Sequence, residues 1–291
     1  MKATNPEAIR LIQNPSLWLL AIAGGLIAID LSLSWRSAPD LSQLSMSLLC
    51  WGAVLSLLWE KRHSLNLESD LFSSGLGLLL IGFVLLRSLL MTSFDSVFEL
   101  LPLISGIGLA LVASGFKRLG QYRQELLIIL ALNIPIGLVI NRIELLSNAT
   151  AKFATMLLTY CGVEVYRQGI NIFIPPSGAV EVAAGCSGWE TIFPLLQLSV
   201  LFLVMFPTGL IAKICVPLMA VSIAFIVNGV RVAIMALLVA YSTQETFEYW
   251  HLGTGSQIFF LIATLMFGCV CYVVSQNAHP ARQDHRELSE S

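Results

Sequence analysis

Apolar runs joined by short polar links dominate the chain. Eight of them reach or approach the roughly 20 residues that a membrane-crossing helix needs. They run Ser16–Ser34, Leu41–Trp59, Leu71–Met91, Val97–Phe116, Leu126–Ile140, Trp189–Phe206, Leu210–Val227 and Gln257–Ser275, the fifth being short. Hydrophobicity is nearly unbroken over the 32 residues Leu210–Tyr241, interrupted by Asn228, Gly229 and Arg231. Only about 13 residues separate Asn228 from Ser242, too few for a second crossing. The expectation is one crossing ending near Val227, then a short helix at the outer interface over 229–241.

Two longer polar segments remain, Asn141–Gly188 and Asn228–Ser256, and they are the places with room for chemistry in water. From Arg142 to Tyr160 the spacing of Ile143, Leu146, Phe153, Met156 and Leu157 predicts an interfacial amphipathic helix. The period then changes. Ile170, Ile172 and Ile174 alternate with Asn171 and Phe173, Pro175-Pro176-Ser177-Gly178 supplies a turn, and Val180-Glu181-Val182 alternates again. That pattern predicts a small β-hairpin outside the bilayer.

Composition makes the membrane reading firm. Hydrophobic residues are 56% and charged residues 12% of the 291, with mean hydropathy +0.81. A soluble fold carries about a quarter charged residues and could not cover its surface with so few. The fold class expected is an all-α polytopic membrane protein, with about eight transmembrane helices, a small external β-hairpin and interfacial helices. Residues 1–291 are expected to form one integral membrane domain in the lipid bilayer, ending in a polar tail at 276–291. A net charge of -2 excludes the basic face that nucleic-acid binding requires.

Basic residues assign the sides. Lys2, Arg10, Lys61, Arg62, Lys117, Arg118, Arg123, Lys213, Arg282 and Arg286 gather on one side, and Arg36, Arg142, Lys152, Arg167 and Arg231 on the other. Both termini are therefore expected in the cytoplasm, with Asn141–Gly188 and Asn228–Ser256 outside. No small-residue cleavage site follows the first span, so it is expected to stay as an anchor. Cys50, Cys215, Cys269 and Cys271 lie in apolar runs and are expected to be small packing residues. No external cluster has metal-ligand spacing, so neither a metal nor a cofactor is expected.

The chain passes from the hairpin into the sixth span through Gly185-Cys186-Ser187-Gly188-Trp189-Glu190. A cysteine between glycines at a helix start suits a nucleophile. Glycine lets backbone and substrate approach closely, the helix N-terminus favours a thiolate, and first-turn N–H groups can cradle an oxyanion. The same segment also fits a plain tight junction. Asn228 and Arg231 are three apart and share a face on a helix; Arg231 could stabilise a thiolate or carbonyl oxygen, or merely snorkel. His251 is the only one of four histidines on the outer side, and alone it would be an ordinary loop residue. The sides bring Cys186, Arg231 and His251 to one face, and thiol chemistry needs those three kinds of group. Glu190 could orient a partner or favour the helix start, the latter being preferred.

The ordered blocks GCSGWE, NGVR and HLGTG on a multi-span chain resemble the exosortase/archaeosortase family, and within it the cyanobacterial branch called cyanoexosortase. The resemblance covers about Leu126–Ser275, which would be the catalytic core, 126–275. It implies a membrane cysteine protease or transpeptidase with Cys186 as nucleophile, Arg231 as cation and His251 as proton carrier. Gly185, Ser187, Gly188, Glu190 and Asn228 would support them. It also implies exported substrates ending in a Pro-Glu-Pro motif, a transmembrane helix and a basic tail, cut at the outer face of the cytoplasmic membrane. The block HLGTG fits the family pattern loosely. Two rivals remain: a rhomboid-like serine protease using Ser187 with His251, and a non-enzymatic carrier or envelope assembly factor.

Overall fold

The computed structural model describes residues 15–37, 41–90, 96–134, 143–176 and 178–278. The tail from 279 onward, the basic N-terminal segment, Arg142 and the end of the fifth apolar run lie outside them. The chain divides into two compact units, Met1–Leu138 and Val139–Ser291. The expected core 126–275 thus begins within the first unit.

The first unit contains α1 (Pro15–Ser37), α2 (Leu41–Lys61), α3 (Leu71–Leu90), α4 (Ser96–Ser114), a 3-10 helix (Phe116–Tyr122) and α5 (Arg123–Leu132). α3 and α4 cross where Gly77 meets Gly108, and a Cβ on Gly77 would stand 2.6 Å from the Gly108 oxygen. Small residues allow this backbone approach, as expected for helices packing in lipid. Asp30 accepts a hydrogen bond from Trp51 Nε1 at 2.8 Å. Lys61 pairs with Glu125 at 2.8 Å.

The second unit contains α6 (Ile143–Tyr160), β1 (Tyr166–Gln168), β2 (Asn171–Ile174), β3 (Gly178–Glu181), a 3-10 turn (Ala184–Cys186), α7 (Trp189–Met205), α8 (Leu210–Tyr241), α9 (Gln244–His251) and α10 (Thr254–Ala278). The hairpin is present as β2–β3, with Ile172 opposite Val180. A third strand extends it: β1 pairs antiparallel with β2, and Tyr166 stacks on Phe173 at 5.0 Å. The expected break in Leu210–Tyr241 does not occur. α8 runs all 32 residues through Asn228 and Gly229.

Two cores explain that continuity. Val216, Ala220, Ile223, Ala224 and Val227 of α8 pack with Ile192 and Leu195 of α7 and Ala263 and Phe267 of α10. Val232, Ala233 and Ala236 pack with Ala151, Ala154 and Leu158 of α6 and with Ile172, Ile174 and Val182 of the sheet. Asn228 and Gly229 lie between these cores, both buried. Their polar and small character serves protein contact there and does not end the helix. α6 likewise buries a face of small residues, Ser147, Thr150, Ala151 and Ala154, against protein. The larger Phe153 packs, tilted by 42°, at 5.4 Å from Phe225 of α8.

Four described helices hold stretches long and apolar enough to cross a membrane: Leu17–Arg36, Leu71–Leu90, Leu210–Tyr241 and Thr254–Gln276. Shorter apolar helices cover Glu99–Ser114 and Trp189–Met205. The protein is mostly helical and membrane-spanning, with a small three-stranded sheet.

Candidate active site

Cys186 ends the 3-10 turn that links the sheet to α7. Gly188 caps α7 at φ 98°, in the left-handed region where a Cβ is strained. A Cβ there would also stand 2.8 Å from Asn228 Nδ2. That amide donates to the Cys186 carbonyl at 3.0 Å, so the glycine lets α8 grip the cysteine's own backbone. Gly185 differs: it is exposed, and the nearest atom to a Cβ there is Glu190 Oε1 at 3.8 Å.

His251 closes α9, and its Nε2 lies 3.3 Å from Cys186 Sγ. Two contacts fix it. Phe247, one turn earlier on α9, stacks on the imidazole with centroids 4.9 Å apart and planes at 17°. Arg231 Nη2 donates to the His251 main-chain oxygen at 3.0 Å. Thr243 caps the start of α9, its side chain accepting from the Thr246 N–H, an N-cap of the usual kind.

A cavity of about 300 Å³ opens beside the pair. Its walls come from β3 (Ala179 to Glu181), from α8 (Arg231, Val232, Met235, Val239) and from α9 (Gln244, Phe247, His251). Arg231 Nε is buried and has no hydrogen-bond partner among the described residues. Burial raises the Cys186 thiol pKa, Arg231 pulls it down, and the Glu190 carboxylate pushes it up. Burial, then the Arg231 charge, lowers the His251 pKa below 6.5. Burial thus works against a thiolate at Cys186, and burial and the Arg231 charge work against an imidazolium at His251.

Two main-chain N–H groups of the turn before α7 are already engaged within it. Cys186 N–H donates to the Ala183 oxygen at 2.9 Å, and Ser187 N–H to the Ala184 oxygen at 3.1 Å. Ser187 is fully buried, and its hydroxyl donates to the Ala184 oxygen at 2.6 Å. Its carbonyl accepts from Thr150 of α6 at 2.7 Å. The serine shapes the turn, and the histidine faces the cysteine.

The structure thus brings together Cys186, Arg231, His251 and Asn228, with Gly188 as the necessary spacer. Glu190 sits in the first turn of α7, where a carboxylate suits the helix N-terminus. Thr150 and Phe247 escape a reading of the sequence. Phe247 could have been found from its i, i+4 relation to His251 once 244–251 is known to be helical; Thr150 carries no local signal. All six cysteines are free. Cys50 is buried, while Cys215 and Cys269 are exposed on helix surfaces. Among the described residues no cluster of His, Cys, Asp and Glu could hold a metal ion.

The chain is a helical membrane protein in which a cysteine and a histidine meet at the wall of a cavity. A family model, transmembrane exosortase (Exosortase_EpsH), matches residues 16–268. The chain belongs to that family of membrane-embedded sorting proteases and transpeptidases, which act on exported proteins. No curated protein and no solved structure matches it.

Proposed function

We propose that the chain is a cysteine transpeptidase or protease that cuts the C-terminal sorting signals of exported proteins. The observation that carries this reading is the 3.3 Å approach of His251 Nε2 to Cys186 Sγ at the wall of a cavity. The signals would be of the Pro-Glu-Pro, transmembrane helix and basic tail type, cut at the outer face of the cytoplasmic membrane. The asymmetry of lysines and arginines supports that side and both termini inside. The ordered blocks around Cys186, Arg231 and His251 support the cyanobacterial branch.

Chemistry follows from two neutral partners. Cys186 Sγ attacks the carbonyl carbon of the scissile peptide as its proton passes to His251 Nε2. The carbonyl oxygen gains a negative charge, and the Arg231 guanidinium, which lines the cavity, is the cation suited to stabilise it. The intermediate collapses, the C–N bond breaks, and the leaving amine takes the proton from Nε2. A thioester remains on Cys186. Water or an acceptor amine then attacks it, with His251 again carrying the proton, and the thiol is regenerated. Asn228 and Phe247 do no bond-making; they hold the backbone of Cys186 and the ring of His251.

The test is co-expression with a reporter protein ending in a Pro-Glu-Pro motif, an apolar helix and a basic tail. Mass spectrometry should find the reporter cut near the motif, and hydroxylamine should release it from a thioester on the wild-type enzyme. Unchanged cutting by Cys186→Ala would overturn the reading.

A further inference from the structure

β3 is the edge strand of the sheet, whose order is β1-β2-β3. In an antiparallel ladder, pairs that exchange hydrogen bonds alternate with pairs that do not. Val182 N–H donates to the Ile170 oxygen at 2.9 Å, which sets the phase. Val180 and Gly178 therefore bond to Ile172 and Ile174, their register partners. The N–H and C=O groups of Ala179 and Glu181 then point away from the sheet.

That free edge borders the catalytic cavity. Ala179, Val180 and Glu181 line it, and Ala179 and Glu181 are exposed. No turn, loop or cap partner among the described residues takes their main-chain groups. The strand also runs beside α8 in a defined direction. At its start Gly178 lies against Ala240, where a Cβ would meet the alanine side chain at 2.7 Å. Beyond its end, Cys186 hangs from Asn228, twelve positions earlier on α8. The groove between β3 and α8 therefore leads along an unpaired strand edge to the thiol. Open edges are normally covered or blunted, and this one ends at a reactive pair.

We propose that the substrate segment next to the scissile bond adds to β3 as a fourth, extended strand. Its N–H groups donate to the Ala179 and Glu181 oxygens, and its oxygens accept from their N–H groups. Main-chain pairing holds many sequences alike, and side chains then select with a period of two. Alternate substrate positions face the apolar wall of Val232, Met235 and Val239 on α8. This proposal rests on the protease reading and says what kind of substrate conformation that site accepts.

The experiment uses the full chain in detergent and a synthetic peptide carrying Pro-Glu-Pro, an apolar segment and a basic tail. A backbone N-methyl group is moved one residue at a time over the non-proline positions around the cleaved bond. Each in-phase N-methyl should raise KM roughly 3- to 10-fold, the worth of one net hydrogen bond, and its out-of-phase neighbours should not. On the enzyme, Ala179→Pro deletes an N–H that the ladder does not use, which an edge strand tolerates. It should raise KM by a similar factor while kcat and the rate of Cys186 alkylation stay unchanged. A scan without alternation, while Cys186→Ala is inactive, overturns the added strand and leaves the protease standing. Cleavage of the peptide by Cys186→Ala overturns the protease reading beneath it.

Discussion

Arg231 holds His251 by its backbone and not by its ring: Nη2 donates to the main-chain oxygen at 3.0 Å. The guanidinium therefore ties α9 to α8 while Nε remains buried without a partner. Its charge depresses the pKa of both Cys186 and His251, which keeps the imidazole ready to accept a proton. One side chain does three things, and substitutions can separate them.

Arg231→Lys keeps the charge and loses the planar fork of donors. The pH profile of Cys186 alkylation should stay near wild type, while cleavage falls about 10²- to 10³-fold, as for loss of an oxyanion donor. Arg231→Ala also loses the charge, so the alkylation midpoint should move to higher pH. Glu190→Gln should move it to lower pH, because the carboxylate opposes the thiolate. Iodoacetamide labelling across pH, read by mass spectrometry, measures all three.

His251 has its pKa lowered, so it is neutral at pH 7 and gains its proton only as pH falls below the depressed value. Cleavage should therefore persist at neutral pH and decline only well into acid. His251→Ala should slow cleavage about 10²- to 10⁴-fold. Since the resting imidazole is uncharged, that variant's Cys186 alkylation profile should barely move. A large upward shift would mean that the ring carries charge at rest.

Ser187→Ala should leave the nucleophile in place. The hydroxyl it removes binds the Ala184 oxygen inside the turn, so a stability loss of about 1 kcal/mol is expected. Thermal melting in detergent should show it, with cleavage retained below the melting point.

Gly188→Ala forces a side chain into left-handed backbone and against Asn228. It should lower activity more than it lowers abundance, because Asn228 positions the Cys186 carbonyl. Gly229→Ala would overlap the Phe153 ring, and overpacking of this kind costs about 1–3 kcal/mol. Phe153→Leu should recover part of the lost melting temperature in the Gly229→Ala background.

The sequence made the site more readable than the fold around it. Glycine flanks, a charge in an apolar run and a lone histidine between the last two apolar runs mark Cys186, Arg231 and His251 because each departs from its surroundings. Alternating isoleucines marked β2, whereas the exposed β1 (Tyr166–Gln168) has no apolar face to announce it. The continuity of α8 was hidden for a similar reason. Asn228 and Gly229 look like a helix end until their partners, Cys186 and Phe153, are known from parts of the chain distant in sequence. For the thiol, burial is the largest influence and raises its pKa, a feature that the residues around Cys186 do not reveal by themselves.

α8 also fixes a height. Its 32 residues measure about 48 Å at 1.5 Å each, against about 30 Å of hydrocarbon in a bilayer. Lys213 and Arg231 stand 18 positions apart on it, about 27 Å along the axis. Two charges at that separation resist sliding of the helix through lipid, since moving either inward is costly. Cys186 hangs from Asn228, three residues before the upper charge. The helix thus acts as a gauge rod, holding the cysteine near the Arg231 end of the stretch between those two charges. On the protease reading proposed above, the length of chain between a substrate's membrane anchor and its cut would be set by that rod, independently of the residues in between.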